Sequence, residues 1–357
     1  MNVGIITFHC SYNFGSALQA FAMQAATQKL GHTSALIDYR SADFDQYRLL
    51  QLKHPKSLLR TCVHFRPYID RMKSFRAFWK KYFNLTKSYD YINEFRLDSL
   101  SSEFDSFVCG SDQIWNLDCT GGAVEPFFLS FAGNKRRIAY APSLAHTSFQ
   151  PENFDKEKVA RLLSKFDYIS VREEETAPLF QPLVDKPIDV VLDPTLLLNA
   201  DDYAEMTSRK ALEGDYIFVY LLRKCPELIE STVAMANATG MKVAYVSEKN
   251  LDIPNSVNLF GVGPEEFVSL IAHASLILTN SFHATVFSIL FHKPFRVFAT
   301  DKSGARMRDL LGNIGLSSRC ADAVCADDIV PCDWNDVDSR LDSLREHSWA
   351  YLRKALS

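Results

Sequence analysis

Short runs of β-branched and aromatic residues alternate along this chain with longer segments whose apolar positions recur at helical spacing. The first run, NVGIITF at 2–8, ends in the loop HCSYNFG, and SALQAFAMQAATQKL then continues with the period of an amphipathic helix up to Gly31. SALIDYR at 34–40 supplies the next strand. The same rhythm returns in FDSFVCG (104–110), RRIAYAP (136–142), the helix DKEKVARLLSKF, YISVRE (168–173) and IDVVLDP (188–194). After a crossover at 195–212 a second series runs through YIFVYLL (216–222), PELIESTVAMANATG, MKVAYVS (241–247), PEEFVSLIAHA, SLILTN (275–280), SFHATVFSILFHK and PFRVFA (294–299). Strands alternating with helices predict parallel sheets covered on both faces. The expected architecture is therefore α/β, two Rossmann-like doubly wound domains: 1–200, 201–333, and a closing helix at 334–357.

One stretch breaks the rhythm. Residues 41–100 carry 12 Lys+Arg against 6 Asp+Glu, a local +6 against −10 for the rest of the chain, with Phe and Tyr interleaved. It reads as a helical insertion in the first domain, whose basic face is either merely solvated or a surface for an anionic acceptor or a membrane headgroup layer.

Composition narrows the class. A chain of 357 residues, 47% hydrophobic and 23% charged, is long enough for two cores. A net charge of −4 supplies no global attraction to nucleic acid, so none is expected as a partner. No apolar run approaches the roughly 20 residues of a membrane helix, and MNVGIITFHC lacks the pattern of a signal peptide, so the expected location is cytoplasmic. The eight Cys read as reduced thiols, and Cys320, Cys325 and Cys332 lack the spacing of a zinc site.

Four places could carry chemistry. In TNSFHATVFSILF a strand stops and a helix starts with Ser281 or Asn280 as its cap, which puts His283 beside unsatisfied backbone N–H groups that favour an anion. In YISVREEET, Arg172 ends an apolar strand, where a guanidinium either grips a carboxylate or phosphate or ties strand to helix in a salt bridge. CGSDQIWN offers Ser111, Asp112, Gln113 and Asn116 for hydroxyl recognition, and Trp115 either stacks on a sugar face or is buried. In SYNFGSALQ, Asn13, Gly15 and Ser16 present donors at a helix N-terminus, without the G-x-G-x-x-G of a dinucleotide site. Ligands of such sheets are expected beyond the carboxyl ends of the strands.

Taken together, NFGSALQAFAMQ, FVCGSDQIWN, IAYAPS, ISVRE, VVLDPTLLL, LTNSFHATVFSILFHKPF and RMRDLLGNIGL resemble the polysaccharide pyruvyl transferase family over nearly the whole chain. The resemblance implies a fold similar to the glycosyltransferase B type, phosphoenolpyruvate as co-substrate, and a glycan or lipid-linked sugar as acceptor; the sequence shows no ligand cluster for a metal, and no separate cofactor is expected. It also implies acid/base chemistry for His283 and the donor's negative charge for Arg172; Asp112, read from the residues of CGSDQIWN themselves, is a further catalytic candidate. Ser143 of the IAYAPS motif, Arg306 of RMRDLLGNIGL, Asn280 and Ser281 join the expected substrate-binding set. Asn280 stands where many members carry Asp. The competing functions are a nucleotide-sugar glycosyltransferase of the same fold and a non-catalytic sugar-binding protein, and the oligomeric state is left open.

Overall fold

A computed structural model of the chain describes residues 1–41, 65–144, 154–299, 304–320 and 332–357. They divide into two compact units: the described residues of 1–48, 79–198 and 343–357 form the first, and those of 49–78 and 199–342 the second. Part of the basic insertion, 42–64, lies outside the described residues.

The strands, in chain order, are β1 (Asn2–Ile6), β2 (Thr33–Leu36), β3 (Tyr39–Arg40), β4 (Tyr89–Asp90), β5 (Ser106–Cys109), β6 (Arg136–Ala139), β7 (Tyr168–Val171), β8 (Ile188–Val190), β9 (Tyr216–Tyr220), β10 (Lys242–Val246), β11 (Ser256–Asn258), β12 (Leu276–Thr279) and β13 (Phe295–Val297). The first unit holds a parallel sheet in the order β2-β1-β5-β6-β7-β8, and the second a parallel sheet in the order β11-β10-β9-β12-β13. In β5, Phe107 and Cys109 enter one apolar cluster while Val108 enters another, so both faces of the first sheet are buried. That is why these strands read as unbroken apolar runs rather than alternating ones. Tyr216 to Tyr220 are buried at every position.

Local capping sets where the helices begin. The Asn13 side chain accepts from the Gly15 and Ser16 N–H groups to open the helix Phe14–Lys29, and Ser281 accepts from the Ala284 N–H to open Phe282–Leu290. The long helix Trp334–Leu356 ends in the first unit, where Tyr351 and Leu352 are buried against β1, β5 and β6 and the Tyr351 hydroxyl donates to the Ala139 carbonyl.

Two expectations change here. Residues 65–78 group with the second unit, whereas the charge pattern assigned all of 41–100 to the first domain. Arg71, one of the 12 basic residues of that stretch, is not on a basic face but buried: its guanidinium lies 5.0 Å from the rings of both Phe75 and Phe260 and donates to the Phe260 carbonyl. Burial lowers its pKa to about 10. Tyr68, Arg71, Phe75 and Phe78 of the helix Phe65–Tyr82 are thus interior packing rather than a binding face.

Candidate functional site

Parallel strands deliver their carboxyl ends to one edge of the sheet, and in the first unit all six of those ends are followed by polar side chains. After β5 the chain makes a turn that only glycine permits: Gly110 has φ +111°, and a Cβ there would meet the Tyr140 carbonyl oxygen at 2.1 Å. The turn aims Asp112, itself left-handed at φ 63°, back toward the start of the helix Phe14–Lys29. Its carboxylate accepts from the Ser16 hydroxyl at 2.5 Å and from the Gln113 N–H at 2.8 Å. Gln19, fully buried, holds the other side of this junction: its amide oxygen accepts from the Ser111 N–H, and its amide nitrogen donates to the Thr7 hydroxyl and the Ser16 carbonyl. The result is one pocket lined by Asn13, Ser16, Asp112 and Gln113 together with Thr7, Phe8, Cys10, Ser11, Tyr39 and Phe127. Carboxylate, hydroxyl and amide groups beside aromatic walls are the chemistry that recognises sugar hydroxyls.

Behind the pocket lies a network centred on Arg172. Its Nε donates to Glu173 at 3.1 Å and its Nη1 to Asp193 at 2.6 Å, with the guanidinium side chain 3% exposed. Burial alone would lower the guanidinium's pKa, but Glu173, Asp193 and Asp112 outweigh it and raise it. Through these carboxylates Arg172 organises its neighbours. Glu173 accepts from the Ser143 hydroxyl at 2.5 Å and from Thr176, Asp193 accepts from Ser111 and Thr195, and the Ser143 N–H donates to the Asp112 carbonyl. The ends of β5, β6, β7 and β8 are therefore fastened to one cation. Of the two readings of Arg172, the salt bridge is the one seen here: its Nε and Nη1 are taken by the protein's own carboxylates, and Ser111 and Ser143 belong to the same scaffold.

Trp115 is corrected too. It is fully buried, stacked on Phe128 at 5.2 Å, edge-on to Phe166, and donates its indole N–H to the Phe127 carbonyl, so no sugar can stack on it. Asn116 caps the short helix Leu117–Thr120 and donates to Gln113, and the Gly15 N–H is taken by Asn13.

Sequence reading passed over His9 and Asp38. The His9 ring is buried with Nδ1 3.2 Å from the Thr7 carbonyl and Nε2 3.1 Å from the Asp38 carboxylate, which Arg40 also holds. Both nitrogens face pure acceptors, so both must carry protons. Burial would lower the imidazole's pKa, but Cys10 and Asp38 outweigh it and raise it to about 10, while Asp38 is lowered to about 2. The donor atoms of His9, Cys10 and Asp38 lie within 4.8 Å of one another, a spacing that suits a metal, but an imidazolium paired with an already doubly bonded carboxylate is an ion pair rather than a ligand set. The pair pins the loop that carries Cys10, Ser11 and Asn13. A raised histidine pKa stabilises fully below about 6.5, the unfolded value, and its contribution is lost as pH rises toward 10. Unfolding free energy should accordingly fall by up to about 1.4 kcal/mol per pH unit above neutrality relative to His9→Gln. Urea titrations of both proteins at several pH values would show it, and parallel slopes would refute it.

In the second unit, His283 is the second residue of the helix Phe282–Leu290 and half-buried, its ring edge-on to Phe282 with centroids 5.3 Å apart. The Arg306 guanidinium lies 5.7 Å from the same Phe282 ring. A helix N-terminus, an imidazole and a guanidinium thus converge around one aromatic residue, an arrangement suited to an anion. Asn280 is structural: its side chain accepts from the Leu222 N–H and donates to the Arg223 carbonyl, bracing the turn that precedes the helix.

Comparison with known proteins agrees with the architecture. The profile of the family described as polysaccharide pyruvyl transferase matches residues 13–302. No curated protein matches the chain. Among solved structures, the UDP-GlcNAc 2-epimerase from Methanocaldococcus jannaschii is similar at a TM-score of 0.50 and 12% identity, covering 96% of this chain and 92% of that one. The glycosyltransferase SnogD from Streptomyces nogalater matches at a TM-score of 0.50 and 11% identity, covering 98% and 95%. At such identities the likeness is one of fold, and the fold is α/β with two Rossmann-like units, as in glycosyltransferases of the B type. Among the described residues no helix is long and apolar enough to cross a membrane.

Proposed function

The chain belongs to the polysaccharide pyruvyl transferase family, and from that premise we propose that it transfers pyruvate from phosphoenolpyruvate to two hydroxyls of a sugar as a cyclic ketal. The observation that carries this reading is the pocket in which Asp112, Ser16, Asn13 and Gln113 meet beside Tyr39 and Phe127. We assign the acceptor sugar to it, and the donor's carboxylate and phosphate to the helix start at His283 with Arg306.

The chemistry follows from the donor. A proton passes to the methylene carbon of the enol phosphate, making a methyl group and an oxocarbenium-like centre at the adjacent carbon. One sugar oxygen bonds to that carbon and gives its proton to a base, replacing the one delivered to the methylene carbon; the C–O bond to phosphate breaks; the second sugar oxygen closes the ring, and its proton leaves with the phosphate. Asp112 is suited to accept a hydroxyl proton or to orient the hydroxyl, since its carboxylate is already held at two points by Ser16 and the Gln113 N–H.

Phosphate release from phosphoenolpyruvate in the presence of a glycan panel, with a pyruvate ketal found by mass spectrometry, is the expected result. Turnover of nucleotide sugars with no use of phosphoenolpyruvate would replace this reading by glycosyl transfer. Within it, Asp112→Asn should lower kcat/KM for the acceptor by about 10- to 100-fold, roughly the 1.5–3 kcal/mol of a hydrogen bond to a charged group. Donor binding by calorimetry should remain close to parental, and an acceptor kcat/KM left unchanged would remove Asp112 from the site.

A further inference from the structure

The 3-10 segment Tyr91–Ser102 is anchored on one side and bare on the other. Leu97 and Leu100 sit in the core of the first unit, whereas Tyr91 is 50% exposed and Ile92 and Phe95 are each 69% exposed. Three large apolar side chains within five residues are an unusual thing to leave in water. The charges around them are arranged unevenly. Asp90 spends its carboxylate on the Ile92 and Asn93 N–H groups, and Glu94 accepts from the Tyr39 hydroxyl, so both carboxylates are engaged within the protein's own structure. The cations stay with the aromatics: Arg96 lies 5.8 Å from the Phe95 ring and Lys87 5.6 Å from the Tyr89 ring. Asp98, one turn further on, and Glu103, just past the segment, are the exposed carboxylates that follow. An aromatic and aliphatic tip flanked by long cationic side chains has the composition of a membrane interface, with rings at headgroup depth and cations reaching phosphates.

Its position links it to the pocket. Tyr39, which lines the pocket and bonds Glu94, pairs with Tyr89 in the two-stranded ladder β3-β4, and the exposed tip begins two residues after Tyr89. We propose that residues 91–96 form a docking wedge for a lipid surface, which holds the acceptor pocket at the membrane where a lipid-linked sugar would be presented. This rests on the acceptor assignment made above for its purpose, but not for its test.

The test is sedimentation of the full chain with vesicles of phosphatidylcholine alone and of phosphatidylcholine containing about 30% anionic phosphatidylglycerol. The parent should bind both, the anionic vesicles more tightly. Ile92→Ser combined with Phe95→Ser should weaken partitioning about tenfold or more on both, while turnover on a water-soluble glycan stays parental. Lys87→Glu with Arg96→Glu should remove only the increment due to anionic lipid. The proposal is overturned if the apolar double variant partitions like the parent, if the parent binds neither vesicle, or if velocity sedimentation shows a parental dimer that the double variant loses. Vesicle binding involves no turnover, so failure of pyruvyl transfer would leave this result standing, and the reverse also holds.

Discussion

His283→Gln lowers turnover by roughly two to four orders of magnitude while donor affinity changes by much less, in the expected outcome for a residue whose task is to deliver a proton. The expectation comes from position. His283 occupies the first turn of the helix Phe282–Leu290, which Ser281 opens by accepting from the Ala284 N–H, so it stands at the positive end of the helix dipole. Glutamine keeps a polar tip of similar reach and the helix start is unchanged, so binding of the donor's anionic groups by the backbone and Arg306 should persist. What glutamine cannot do is supply a proton to carbon. Solvent deuterium entering the pyruvyl methyl group reports that step directly. A variant that turned over within about tenfold of the parent, or that incorporated deuterium at the parental rate, would show that another acid acts.

Much of the architecture was legible in the chain because parallel strands buried on both faces write themselves as unbroken apolar runs. FVCG, YISV and LILT each mark a strand whose end carries polar residues of the site. β11 escaped because it is three residues long and its apolar member, Val257, is 37% exposed at a sheet edge. Side-chain partners were less accessible to pattern reading, since they depend on contacts between distant segments. Asp112 meets Ser16 across 96 positions, and Arg71 meets Phe260 across 189. Trp115 illustrates the cost of judging by neighbours alone: a tryptophan after a strand suits a sugar platform, yet Phe128, Phe166 and Phe180 close around it. His9 carried a usable signal. A histidine in the first loop after a strand, followed 29 residues later by Asp38 just past the neighbouring parallel strand, is placed to form the pair that the structure shows.

The same distinction decides what Arg172 does. Were it a clamp for the donor, removing its fork would raise the donor constant and leave the fold alone. The geometry instead predicts a loss of stability. Arg172→Met would leave Glu173 and Asp193, both buried, without their countercharge, and breaking such a pair from one side costs about 3–5 kcal/mol. That is a large share of the roughly 5–15 kcal/mol by which a domain is stable, so the variant should be marginal or unfolded. Arg172→Lys keeps the charge but reaches one carboxylate where the fork reaches two, and it should fold with an intermediate loss. The decisive comparison adds Glu173→Gln and Asp193→Asn to Arg172→Met, because removing every member leaves no uncompensated charge. Urea denaturation should then recover much of the lost stability, although Ser111 and Ser143 would no longer be held in register. If Arg172→Met unfolds within about 1 kcal/mol of the parent, the network is not what fastens the ends of β5 to β8.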